Sequence, residues 1–560
     1  MHHPDMQGLP WFLFALLMVP TSASAQIVLT GEVPDADGVE YFVLPFEVPE
    51  GTAEIEIRHD DLSDDNILDW GLISPTGFRG YGGGNTEPAI VGIEASSRSY
   101  LVGPIEAGTW QVYVGEANLE VLPASYRVEI DLRTVATLAP QPERSPYAAA
   151  EPLEVGARWY AGDFHVHSRE SGDASPTLDE IAEYAEGVGL DFVMLSEHNT
   201  TSQLDYLADV QARHPSLLLV PGIEVTTYEG HFMSLGGTRW VDPRVGVEGR
   251  TIDGMADDVH ADGALFTVNH PALMIGDACI GCGFTGMVDG ANIDGMEIQT
   301  GAYSVTGRLF LGRALERWET LVSMGHHVIA LGGSDDHRAG TGTGTFDSPI
   351  GSPTTMVFAE ELSVAGLMAG LAIGRTVVRL EGNEAPMLEV SSPDLPDDSD
   401  TMIADYTTLR VHVTGATLGA RLVIVREGDG VAMLDATGAD RMLEVPLVAS
   451  ANQDAIRAEL WLGVLPLAVT SHVYLRPLTE GGVMQDQWTQ APHQARTSPS
   501  RARDAVATSS AARRPPRLPS ARCSCSWARA AERETRSRQA CACTRGGAEL
   551  IFAPCARPPR

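Results

Sequence analysis

The sequence predicts a multidomain chain: a central α/β barrel flanked by N-terminal and C-terminal all-β, sandwich-like domains. Three observations carry this. Between residues 156 and 380, short apolar runs alternate with segments of helical period, the pattern of a largely parallel sheet that often closes into a barrel. On either side, residues 27–135 and 386–477 show only short β-rich runs broken by Gly, Pro and Asp turns. Several central strands also end in His, Asp or Glu, and barrels place their sites at such strand ends. A chain of 560 residues has room for about three domains.

The central elements follow in order. Residues 159–166 form an apolar strand leading to His165-Val-His167. Side chains alternate along a strand, so these two imidazoles face one way and can share one metal ion. Residues 178–188 keep helical spacing, with Ile181, Ala182, Ala185 and Val188 on one face. A strand at 191–195 runs into Glu197-His198-Asn199, and one at 217–225 holds Gly222-Ile-Glu224, soon followed by Gly230-His231. The strand at 264–268 ends in Asn269-His270-Pro271. Helix 307–323 carries an apolar stripe of Leu311, Leu315, Trp318 and Val322, and strand 328–331 leads into Ser334-Asp335-Asp336-His337. A last helix is expected at 362–371 and a last strand at 374–377.

These motifs, in this order, resemble the PHP (polymerase and histidinol phosphatase) domain, and within it the CehA/McbA-type metallohydrolases. The resemblance extends to Asp69-Trp70-Gly71-Leu72, Gly77-Phe-Arg-Gly80 and Gly108-Thr-Trp110 before the barrel, and to residues 470–475 after it. It implies a distorted (β/α)7 barrel over 156–380. It also implies three metal sites: His165, His167, Glu224 and Asp335; Glu224, His231 and His270; and Asp173, His198 and His337. Glu224, Asp335 and His270 are then the catalytic candidates. Two positions depart from the family pattern. Glu197 stands where an Asp is usual, and its expected role is to hold His198. Asp173 follows an extended loop, with Glu170 as the alternative early acidic ligand.

The ligand types support the same chemistry independently. Six imidazoles and three carboxylates exceed what one ion with three or four protein donors takes up. They suit two or three divalent ions, and the mixed N/O donor set suits Zn, Mn or Fe. Clustered ions lower the pKa of a shared water and polarise the bond under attack. The sequence therefore predicts a metal-dependent hydrolase of ester-type bonds in a small molecule. By resemblance, a carbamate or carboxylic ester is favoured, with a phosphoester as the alternative. Phosphate recognition would call on Arg338, Arg308 or Arg169. A third reading is a secreted binding protein whose β-domains contact a cell surface or polysaccharide.

The ends and linkers complete the reading. Residues 1–25 resemble a signal peptide, with an apolar run at 11–19 and Ala23-Ser24-Ala25 before the cleavage point, so a secreted or periplasmic location is expected. No other segment is long and apolar enough to span a membrane as a helix. In the N-terminal domain, strands are expected at 41–46, 53–58, 99–102, 109–114 and 126–132. Asp60, Asp61, Asp64 and Asp65 read as a solvated turn rather than a calcium site. Residues 136–155, with four prolines, read as a linker. Cys279-Ile-Gly-Cys282 lacks a second ligand pair for structural zinc, and reads as a local disulfide or two thiols. His326 and His327 precede a strand and are not expected to be ligands. From 490 to 560 the composition changes to 14 Arg against 4 Asp or Glu, with five of the seven Cys. That segment reads as a disordered basic tail or the product of a shifted reading frame. The chain lacks lysine and carries a formal net charge of −37, which argues against nucleic-acid partners.

Overall fold

The computed structural model describes residues 24–34, 40–63, 65–303, 307–342 and 348–478, with two further short strands, Cys541–Cys543 and Ile551–Ala553. It divides into two units, Met1–Trp488 and Thr489–Arg560. In the second, the two short strands pair antiparallel. The rest of the basic tail, and the leader up to residue 23, lie outside the described residues.

The N-terminal part is a sandwich of two four-stranded sheets. One orders Ser24–Glu32, Ser125–Arg133, Glu54–Asp60 and Ala89–Gly92; the other orders Tyr41–Val48, Gly108–Leu119, Asn66–Ser74 and Gly77–Gly83. Alternate residues turn inward, and Ile55, Trp110, Val114, Val128 and Ile130 pack between the sheets, fully buried. The strand expected at 99–102 does not form. Ser99 takes a left-handed φ of 70°, which breaks the extended run, and Tyr100 keeps only one bridge, to Gly80.

The central sheet runs Ile329–Gly333, Gly295–Thr300, Leu265–Val268, Gly230–Leu235, Leu218–Thr227, Phe192–His198, Glu154–Val166 and Thr354–Leu362. The regular (β/α)7 pattern is not what forms. Leu218–Thr227 and Gly230–Leu235 make an antiparallel hairpin, because the turn at Tyr228-Glu229 leaves no chain for a helix. Leu265–Val268 reaches its parallel neighbour through a loop with two single-turn 3-10 helices, Gly276–Ala278 and Gly290–Asn292. Five α-helices are described: Leu178–Gly187, Leu204–Arg213, Ile252–Ala261, Arg308–Ser323 and Val364–Ala372. The sheet curls until the end of Ile329–Gly333 meets the end of Glu154–Val166. A parallel bridge joins Val166 to Asp336, His167 N donates to Asp336 O at 2.9 Å, and Asp335 N donates to His165 O at 2.8 Å. Gly333 permits this approach, since a Cβ there would lie 2.4 Å from the His165 Cβ.

Helix caps and apolar faces hold the layer outside the sheet. Thr177 and Glu180 form a reciprocal capping box at the first helix. In Arg308–Ser323, Leu311, Ala314, Trp318 and Val322 are buried, and Trp318 Nε1 donates to Val328 O at 2.8 Å. Each such apolar side chain contributes about 1.5–3 kcal/mol.

The C-terminal part does not form a sandwich with a core of its own. Thr376–Arg379 pairs with Leu465–Thr470, which carries the central sheet on into Asp454–Leu462, Ala420–Arg426 and Asp429–Asp435. A separate sheet of Met387–Ser391, Tyr406–Ala416 and Gly438–Val448 covers it. One apolar cluster therefore runs from Ala161 and Val193 to Leu460 and Leu475. The 136–153 segment is irregular but tied down. Arg144 donates to Tyr100 O and to Asp205, and Tyr147 packs on the core.

His59 stacks on buried Trp70 with ring centroids 4.6 Å apart, and burial pushes its pKa down to about 4. The unfolded chain then binds the extra proton first, so this group's contribution to stability falls as pH drops from about 6.5 towards 4. Melting curves across that window are expected to fall less steeply for His59→Gln than for the parent chain.

Candidate metal centre

The nine residues singled out from sequence all reach one place at the closing end of the curled sheet. His165 ends the Glu154–Val166 strand, His198 ends its neighbour, and Glu224 lies near the end of the next. His231 comes from the return strand of the hairpin, His270 follows Leu265–Val268, and Asp335 and His337 follow Ile329–Gly333. Glu224, with no exposed surface, is the centre. Its Oε1 lies 3.2 Å from His165 Nε2, 3.0 Å from His270 Nε2 and 3.4 Å from His231 Nδ1. Its Oε2 lies 3.4 Å from His167 Nε2 and 2.9 Å from His198 Nδ1. Asp335 Oδ1 sits 3.3 Å from His165 Nε2 and 3.2 Å from His167 Nε2. Asp173 Oδ2 faces His198 Nε2 at 3.3 Å and His337 Nε2 at 3.4 Å. His165, His167, Glu224 and Asp335 place one ligand atom each within 4.8 Å of one another, as do His167, His198 and His337. His167 thus belongs to both groups.

The donor set fits divalent ions on two counts. His165 Nε2, His167 Nε2, His231 Nδ1 and Glu224 Oε2 are buried and have no hydrogen-bond partner in the protein, a costly arrangement unless something else satisfies them. Each ring's other nitrogen meets an oxygen of the protein. His165 Nδ1 meets Glu297 Oε1 at 2.8 Å, His167 Nδ1 meets Ser171 Oγ at 3.0 Å, and His198 Nδ1 meets Thr226 Oγ1 at 2.9 Å. Three rings meet carbonyls: His231 at Ile280, His270 at Cys282 and His337 at Asp335. A carbonyl oxygen only accepts, so in those three rings the nitrogen beside it carries the proton, and the opposite nitrogen, facing a carboxylate, can keep its lone pair for an ion.

The backbone is strained to bring these groups in. His270 and Asp335 have φ of 26° and 57°, and Asn199, beside His198, has 50°. Positive φ at non-Gly residues is unfavourable and persists only where surroundings impose it. Here Asn199 donates to Thr226 O and accepts from Thr226 N, and His270 N donates to Glu297.

Several supporting residues were not recognised from sequence. Glu297, buried on Gly295–Thr300, holds the His165 ring, the His270 backbone and the Thr300 hydroxyl together. Its only sequence signal is a Glu inside an apolar strand. Asp163 accepts from the backbone N–H groups of His165, Ser334 and Gly351, and burial pushes its pKa up to about 6. The N-terminal sandwich grips the Asp173 loop. Arg98 donates to Gly172 O and Ala174 O, and Ser99 Oγ donates to Glu170 O at 2.7 Å.

The structure corrects the role expected of Glu197. Glu197 does not hold the His198 ring. Both its oxygens accept from Ser168 and Ser171, and Ser171 in turn meets His167 Nδ1 and accepts from His198 N. The longer side chain thus reaches the 168–171 loop, and burial pushes its pKa up to about 7 against those hydrogen bonds. Glu170, the alternative to Asp173, turns away, accepting from Ser99 N at 3.0 Å. Cys279 and Cys282 are joined as a disulfide, so Cys282 is no thiolate ligand although its sulfur lies near His231 and His270. His327 is outside the centre, stacked on Tyr474 and bonded to Asp400. Of the three arginines considered for phosphate, Arg338 lines the cavity over the centre, whereas Arg169 lines a different one.

That cavity, about 650 Å³, opens on the Asp173, His198 and His337 side. His165 and His167 are fully buried behind it, while Asp173 keeps 58 % of its side chain exposed.

No protein-family model matches the chain, and no curated protein matches it. Among solved structures, a two-domain Bacteroides vulgatus protein described as containing a predicted PHP-like metal-dependent phosphoesterase is similar at 17% identity. It covers 60% of this chain and 100% of its own, with a TM-score of 0.34. A calcium-binding mutant of Bacteroides uniformis beta-glucuronidase 2 is similar at 10% identity, covering 81% and 61% with a TM-score of 0.18. The functional reading therefore rests on the geometry of this chain. Among the described residues, no helix is long and apolar enough to cross a membrane.

Glu297→Gln is expected to keep the fold by circular dichroism but to weaken metal binding by about 10–100-fold, as loss of a ring-orienting carboxylate does. Calorimetric titration of metal into the chelator-stripped chain measures this; an unchanged affinity would remove Glu297 from the centre's support.

Proposed function

We propose that this chain is a divalent-metal-dependent hydrolase of ester-type bonds, acting on a carbamate or carboxylic ester. The observation that carries the reading is the set of lone-pair nitrogens and carboxylate oxygens converging on Glu224 beneath an open cavity. Glu224, between both groups of imidazoles, is the residue to be shared between ions. His165, His167 and Asp335 would complete one site, His231 and His270 a second, and Asp173, His198 and His337 a third. Such ions supply a deprotonated water near neutral pH and polarise the carbonyl under attack.

The chain's own groups do the rest. Asp335 is held well below the usual carboxylate range: burial alone would raise it, but His165, His167 and His337 outweigh that. It therefore stays ionised and orients a proton of the attacking water rather than keeping it. His270 is locked by its Nδ1–H to Cys282 O, so its Nε2 is fixed towards Glu224. The exposed side of the centre, at Asp173, His198 and His337, receives the substrate, and the buried side excludes bulk water.

A phosphoester is the second reading, and Arg338 at the cavity wall is what favours it. Beyond the groups that would hold metal, the wall carries Asp69 and Asp336, which disfavours a dianionic substrate. The proposal includes export, consistent with the leader-like residues 1–25. The Cys279–Cys282 disulfide supports it, since disulfides persist in oxidising compartments.

The test strips the chain with a chelator, refills it with Mn or Zn, and compares a naphthyl N-methylcarbamate with p-nitrophenyl phosphate. Carbamate turnover should vanish on stripping, return on refilling, and fall at least about 100-fold in Glu224→Gln. Faster, Glu224-dependent phosphate turnover would replace this reading with the phosphoesterase one.

A further inference from the structure

The cavity over the metal centre has a second wall, built by the N-terminal sandwich. Its central polar group is Asp69, in the Asn66–Ser74 strand. Asp69 Oδ2 accepts from the Tyr228 hydroxyl at 2.8 Å, with Tyr81 beside the same carboxyl. Among the described residues no arginine pairs with it, and the chain has no lysine. A half-buried carboxylate at the cavity wall keeps lone pairs beyond the one the Tyr228 hydroxyl uses, and a ligand's N–H can meet them.

The surroundings fix Asp69 rather than leaving it to swing away. Tyr228 sits in the tight turn after Glu224's strand and stacks on Tyr41 at 5.2 Å. Gly115 makes room for it, since a Cβ there would lie 2.2 Å from the Tyr228 hydroxyl. The same turn leads to His231, so the hairpin that helps build the metal centre also sets the Asp69 hydrogen bond. The cavity is also lined by the apolar side chains of Ile67, Leu273, Ile275, Ile280 and Phe310. A ligand filling it meets the metal centre, apolar side chains and a fixed hydrogen-bond acceptor.

We propose that Asp69 is the specificity-determining residue of this cavity, accepting hydrogen bonds from an ammonium or N–H group of an apolar-bodied ester substrate. This deepens the hydrolase reading and rests on it for the reacting bond, but the recognition itself needs no turnover. Tyr228 and Tyr81 are positioning residues for the carboxylate. Asp69→Asn removes the charge while keeping the shape that Tyr228 packs against.

Two measurements on the full chain separate the claims. In calorimetric titrations, hexylamine is expected to bind at least about tenfold more tightly than hexanol, with and without added metal, and Asp69→Asn is expected to erase that preference. No preference in the parent chain, or one that survives in Asp69→Asn, overturns the proposal. In the second, metal-loaded chain is given the p-nitrophenyl esters of aminohexanoate and heptanoate. Asp69→Asn should lose about tenfold or more in kcat/KM on the amine-bearing ester, mostly through KM, and stay within about twofold on the other. An equal loss on both makes Asp69 structural and overturns the proposal. Should the parent chain hydrolyse neither ester, the ester reading fails, while an Asp69-dependent amine preference in the titrations would still support the recognition site. Tyr228→Phe should move the amine preference in the same direction as Asp69→Asn, and serves in its place if that variant does not fold.

Discussion

The constraint on which this structure depends is one fully buried carboxylate, Glu224, with five imidazoles within 3.4 Å of its two oxygens. A lone carboxylate in such a place would be strongly destabilising, and so would unpaired imidazole nitrogens. Each is offset in part by the others, and a bound cation would offset the rest. The folding problem is therefore to bring strand ends from widely separated parts of the chain to one point, with every ring held in a fixed orientation. The curled sheet does the first, and a surrounding layer of acceptors does the second: Glu297, Ser171, Thr226 and three carbonyls.

The strained backbone follows from the same constraint. His270 and Asp335 lie just past their strands, where an extended conformation would carry their side chains beyond Glu224. A positive φ turns them back. The turns are held by Glu297 on the His270 N–H and by the exchange of hydrogen bonds between the Asp335 and His165 region and Asp163. Local strain at the centre is thus balanced by buried hydrogen bonds one layer out, and those residues are as necessary to the geometry as the groups facing Glu224.

How much of this was legible in the sequence depended on whether a residue announced itself by type or by position. His165-Val-His167, Glu197-His198 and Asp335-Asp336-His337 stand at the ends of recognisable apolar runs, so they could be read directly. Glu297 could not, because a single Glu inside a strand has no spacing partner and its role exists only once two distant strands adjoin. Glu197 was legible as important but not in its action, since one extra methylene carries its carboxylate to Ser168 and Ser171 instead of the adjacent ring. The structure departs from a regular strand-helix alternation where periodicity is silent. A two-residue turn makes a hairpin of strands 218–227 and 230–235, and the disulfide-bearing loop replaces a helix. The C-terminal β-runs were visible, but not that Leu465–Thr470 would continue the central sheet, because strand pairing across about 90 residues leaves no local trace.

The N-terminal sandwich is best understood as part of the site. A curled sheet can collect ligands at its rim but leaves them facing solvent, where water screens every electrostatic interaction. The sandwich closes that face. Phe78 stacks on Trp240 at 4.4 Å, Trp240 Nε1 donates to Asn199 O, and Arg98 and Ser99 fix the loop that presents Asp173. These contacts converge on the exposed side of the centre and leave the buried side alone. A domain that only tethered the chain would have no reason to distribute its contacts so. Its placement converts an open rim into a walled cavity, and gives a chain without lysine a way to define its substrate by shape and hydrogen bonding rather than by positive charge.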